Sequence, residues 1–220
     1  TDPVAVRFDL FVHTCDVQGA LGHVNNQSSL VYTESTHQAM QAVAQAIDVL
    51  ADAQKTEMDA YNAYLTVRAH WLGLNPQDRL DRVLTRIGTM LRLFSLEEGQ
   101  LLKNGIQQLD PKEQAKVIAQ LDSEEKDELL RTPTYMPAVL VNLLNNPQLG
   151  SSKEERLSKT LELGLPFLAR VLEKHKQSIA EKKADPEIPL NFNRAAGVAK
   201  TEPTRLQKSF MIDSEGNVNF

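Results

Sequence analysis

The side chains in this chain best suited to chemistry are Asp9, His13 and Asp16, set within its first long apolar segment, Phe8 to Val24. If residues 7–23 coil into a helix, the three follow at i, i+4 and i+7 and project from one strip. Each carboxylate is then within reach of the imidazole. Such a set suits a divalent metal such as Mn²⁺, Fe²⁺, Mg²⁺ or Zn²⁺, with Asp9, His13 and Asp16 as ligands. Equally, a carboxylate beside the ring fixes its tautomer and raises its basicity, so His13 reads either as a ligand or as a catalytic acid–base group. His23 is too far for the same ion, since it lies roughly 15 Å along the axis from His13. Leu10, Val17, Leu21 and Val24 form the neighbouring apolar strip, expected to face a core, while Phe11 and Val12 fall outside both strips.

A second candidate lies further on, where Arg79, Arg82 and Arg86 share a helical face beside Leu80, Val83, Ile87, Met90 and Leu91. Three aligned guanidinium groups can grip a phosphate-containing small molecule bidentately. The plainer reading is surface ion pairing, for which Asp78 and Arg82 have i, i+4 spacing. His175 shares a face with Phe167, Val171, Leu172 and Ile179 and reads as a buried, hydrogen-bonded residue. His37 sits at the edge of an apolar strip, and His70 adjoins Trp71 on a helix with Tyr61, Tyr64 and Arg68. These aromatics read as core and boundary packing rather than a base-stacking platform. The chain contains no Gly-rich phosphate loop, Gly-x-Ser-x-Gly elbow, Cys-x-x-Cys pair or His-Glu-x-x-His helix.

Phe11-Val12-His13-Thr14-Cys15-Asp16-Val17-Gln18-Gly19-Ala20-Leu21-Gly22 resembles the helix that carries the last metal-ligating Asp in the HD superfamily of metal-dependent phosphohydrolases. The resemblance spans about a dozen residues. It implies an all-α enzyme acting on phosphate esters or nucleotides, with Asp16 as the terminal ligand. That family's ligand set also includes an adjacent His-Asp doublet, and no such doublet occurs in this chain. The resemblance therefore implies half a site, with the remaining ligands encoded upstream of Thr1.

The elements that must position these groups are helical throughout. Apolar residues at helical spacing run from Glu34 to Gln54. Thr56-Glu57-Met58-Asp59 resembles a capping box and opens a helix to about Leu72, ended by Gly73. Asn75-Pro76 predicts a start with proline at the first helical position and a helix to about Phe94. Ser95-Leu96-Glu97-Glu98 is a full capping box, Asp110-Pro111 opens a helix through Leu121, and Ser123-Glu124-Glu125 opens a short one ending near Arg131. A helix over Ala138–Leu144 follows Pro137. Another runs from Ser151 or Ser152 to Leu163, with Gly164 and Pro166 marking a break before a last helix, Phe167 to Lys183. From Asp185 the composition changes. Residues 185–220 read as an extended tail, closing in a small hairpin over 209–220 around Asp213-Ser214-Glu215-Gly216.

The expected architecture is thus a single all-α domain of nine to ten helices over residues 1–184, with that tail appended. Net charge of −5 and a pI near 5.6 argue against a broad nucleic-acid footprint. No apolar run reaches the ~20 residues of a membrane span. The lone Cys15 excludes an intrachain disulfide and fits a reducing cytoplasm. Two functions are compatible with these features. One is a metal-dependent phosphohydrolase-like domain using His13, Asp16 and the arginine row. The other is a noncatalytic helical module that binds a protein partner or a second copy of itself.

Overall fold

Side-chain caps start most of the helices where the sequence places them. The computed structural model describes residues 2–19, 33–122 and 132–220, and nine α-helices run through those residues. They are α1 (Pro3–Gly19), α2 (Glu34–Asp48), α3 (Glu57–Leu72), α4 (Arg79–Met90), α5 (Leu96–Gln107), α6 (Pro111–Leu121), α7 (Met136–Leu144), α8 (Lys153–Ala180) and α9 (Asn193–Thr201). Two short strands follow, β1 (Met211–Ile212) and β2 (Val218–Asn219). At the start of α5 the Ser95 hydroxyl accepts from the Glu98 N–H at 3.2 Å, and Glu98 returns the bond to the Ser95 N–H at 3.0 Å. Ser152 and Glu155 repeat that box for α8. Asp110 accepts from the Lys112 N–H ahead of Pro111, and Thr56 with Asp59 forms the reciprocal pair before α3. Each such cap stabilises its helix by about 1 kcal/mol.

Three expectations need correction. The fourth helix starts at Arg79 rather than beside Pro76, because Asp78 competes successfully for the cap: its carboxylate accepts from the Asp81 N–H at 2.9 Å. Asn75 instead closes the preceding turn on the Gln77 N–H. This helix also stops at Met90, since Arg92 adopts a left-handed conformation and the Leu93 N–H reaches back to the Gly88 carbonyl. Secondly, Gly164 and Pro166 do not interrupt α8, which is continuous over 28 residues. An internal proline costs a helix about 3 kcal/mol. Here the residues around it, Leu161, Leu163, Leu165, Phe167 and Leu168, are all buried and hold both halves in line. Gly164 serves close packing instead: a Cβ there would stand 2.7 Å from Leu140 of α7.

Thirdly, the segment after residue 184 is not simply extended. It contains α9, which packs against α7, and a 3-10 turn over Pro203–Gln207. Buried Leu190, Phe192, Ala195, Ala196, Ala199 and Leu206 explain why it lies ordered on the helices, where a polar tail would not. The terminal hairpin forms as expected, with Met211 opposite Asn219 and Ile212 opposite Val218. Gly216, at φ +79°, makes its turn. The hairpin has the partner surface that so short a ribbon needs. The Asn191 N–H donates to the Gly216 carbonyl, the Val218 N–H donates to Asn191, and Phe167 meets Phe210 and Phe220. The expected short helix after Ser123 and the loop at 25–29 lie outside the described residues.

The chain divides into two compact units, residues 1–68 and 69–220. In the first, α1 meets α2 where the Thr14 hydroxyl approaches the Met40 sulfur at 4.0 Å, and Ala42, Ala46, Ala60 and Leu65 are buried. The second holds the large apolar core. In it α8 packs against α5, α6 and α7, and α4 packs against α5, α6 and α7 in turn. Val83, Leu84, Ile87, Leu102, Ile106, Val117, Leu140, Leu161 and Phe167 are wholly buried there. Gly99 sets the tightest approach: a Cβ at that position would lie 1.9 Å from the Leu72 carbonyl oxygen.

Candidate functional site

Helix α1 carries Asp9, His13 and Asp16 as the sequence places them, and all three are exposed to solvent. Among the described residues none of the three makes a side-chain hydrogen bond or ion pair, with each other or with anything else. Nor does any group of three or more His, Cys, Asp or Glu side chains among those residues stand close enough to hold a metal ion. The strip is exposed, but its members form no metal-holding group among the described residues. The three residues therefore do not fit a divalent metal as a set. Helical spacing places side chains on one face without bending them to one point, and among the described residues no other side chain pairs with them. His23 lies outside the described residues.

The arginine row has a different fate. Arg79 Nε donates to the Asp122 carboxylate at 3.0 Å, and Arg82 donates to both its oxygens, from Nε at 3.3 Å and Nη2 at 3.2 Å. Arg82 also reaches the Gln77 carbonyl, while Arg86 donates to the Leu121 carbonyl at 3.0 Å. All three guanidinium groups are thus directed at the C-terminal end of α6, whose unpaired carbonyls and partial negative charge favour cations. The Asp122 side chain is only 2% exposed, so the contact is shielded from water. The ion pairing expected of the row is thus made with Asp122. The row is a tie between α4 and α6. Asp81 and Lys103 make a comparable tie between α4 and α5 at 3.0 Å.

The other histidines resolve individually. His175 is buried on α8 as expected, and burial lowers its pKa from the ordinary imidazole value. The expected hydrogen bond is missing at one nitrogen, because among the described residues Nδ1 has no partner. His37 meets the Gln41 amide, and His70 is exposed. Tyr64 receives a hydrogen bond from Arg68 at 3.0 Å, and Trp71 packs near Phe94 with ring centroids 6.2 Å apart, so these aromatics serve packing. In the hairpin, Asp213 is held below the usual carboxylate range, first by the Asn217 backbone N–H and then by the Asn219 and Asn217 amides. A cleft of ≈ 300 Å³ opens between α5 and α8, lined by Leu101, Asn104, Gln108, Glu154 and Ser158. None of the residues nominated above lines it.

What the sequence reading passed over is the outward face of α1. Val4, Phe8, Phe11 and Val12 are 73%, 67%, 64% and 46% exposed. They lie at i, i+4, i+7 and i+8 and so form one continuous strip, which exposed Cys15 extends. The inward face is carried by half-buried Val6, Leu10 and Thr14. A helix that is apolar on two sides cannot cover both with one packing surface. That signal was present in the spacing of Val4, Phe8 and Phe11. A single exposed apolar side chain is ordinary, whereas these four make a contiguous exposed strip with two phenylalanines. The acidic strip, Asp2 included, runs along its edge. Among the described residues no helix is long and apolar enough to cross a membrane.

A family with the description "Family of unknown function (DUF6829)" matches residues 3–198. No curated protein and no solved structure matches the chain.

Proposed function

The chain belongs to the DUF6829 family, whose description carries no activity, and from its own surfaces we propose that it is a noncatalytic helical module that binds a protein through α1. The observation that carries this reading is the exposure of Val4, Phe8, Phe11 and Val12 on one helical face. Leaving a phenylalanine in water forgoes about 1.5–3 kcal/mol of burial, and a partner that covers the strip recovers it. The geometry is that of helix-in-groove recognition, read through anchors at i, i+4 and i+7. The contrasting reading, a metal-dependent phosphohydrolase, would require ligands brought to Asp16 from residues other than Asp9 and His13. It would also require a phosphate-binding group other than the α4 arginines, which Asp122 and Leu121 already engage.

Two measurements on the purified protein test the proposal. An anilinonaphthalene dye that fluoresces on apolar surfaces is expected to bind the wild type, and the double variant Phe8→Asp/Phe11→Asp is expected to lose most of that signal while keeping its helical circular dichroism. Elemental analysis is expected to find no stoichiometric divalent metal. Bound metal that disappears in His13→Ala and Asp16→Asn would overturn the reading in favour of the hydrolase.

A further inference from the structure

We draw no further inference here: the strongest candidate, the cleft of ≈ 300 Å³ between α5 and α8, is rimmed by exposed Asn104, Gln108, Glu154 and Ser158 with a single carboxylate among them, and nothing in the structure shows what covers it.

Discussion

Helices α4 and α1 each set a row of charged side chains beside an apolar strip, and they end in opposite states. In α4 the apolar side, Val83, Leu84 and Ile87, is wholly buried, and the arginines beside it are drawn onto the end of α6. In α1 the outer apolar side is exposed, and the acids and imidazole beside it have no partner among the described residues. Alignment along a helix is common to both. What separates them, among the described residues, is a partner opposite the row, which the end of α6 provides for α4 through residues about forty positions away. A row of like residues on one helix is therefore half a statement about function, and its meaning depends on what faces it.

That contrast sets the order of the expected effects. The largest belong to residues 69–220, which hold the large buried core. Gly99→Ala would push a methyl group into the Leu72 carbonyl, and equilibrium unfolding in denaturant is expected to show a loss of about 3 kcal/mol. Asp122→Ala removes the shielded carboxylate that both Arg79 and Arg82 engage. Removing one partner of a fully buried pair costs about 3–5 kcal/mol, and since Arg79 is half exposed the expected loss here is smaller, about 2 kcal/mol. Because the carboxylate is shielded, raising the salt concentration should change that loss little. If Asp122→Ala were neutral, the tie between α4 and α6 would add no stability and the contrast with α1 would fail.

The pH dependence of stability is a smaller effect with a definite sign. Burial lowers the His175 pKa in the folded protein, so the unfolded chain binds the proton more readily. Its contribution is full above the ordinary histidine value of about 6.5 and is lost as pH falls below it. Unfolding midpoints measured on either side of that value should fall on the acid side, and His175→Leu should flatten the change. A midpoint that rose on acidification would show that His175 gains a carboxylate partner.

The legible parts of the sequence were those written in a few neighbouring residues. Ser95 with Glu98, Asp110 before Pro111 and Gly216 in the hairpin each act within one turn, and each appears in the fold as read. Pro166 misled because its local cost is overridden by the buried residues on both sides of it. The helix α9 was missed because its nine residues, with three alanines and a glycine among them, carry a weak periodic signal and depend on packing against α7. Asp122 could not be recognised as the partner of Arg79 and Arg82, since nothing local ties residues so distant in sequence. The outer face of α1 was legible in principle, but an apolar strip is ordinarily read as core, and its exposure belongs to tertiary structure.

The most direct test of the account is the free energy of unfolding of Phe8→Asp/Phe11→Asp beside the wild type. If the outer face of α1 lies outside the core, two charges placed there should leave stability within about 0.5 kcal/mol. A loss of several kcal/mol, of the size that buried phenylalanine sites give, would mean that the strip is internal packing and that α1 offers no surface to a partner.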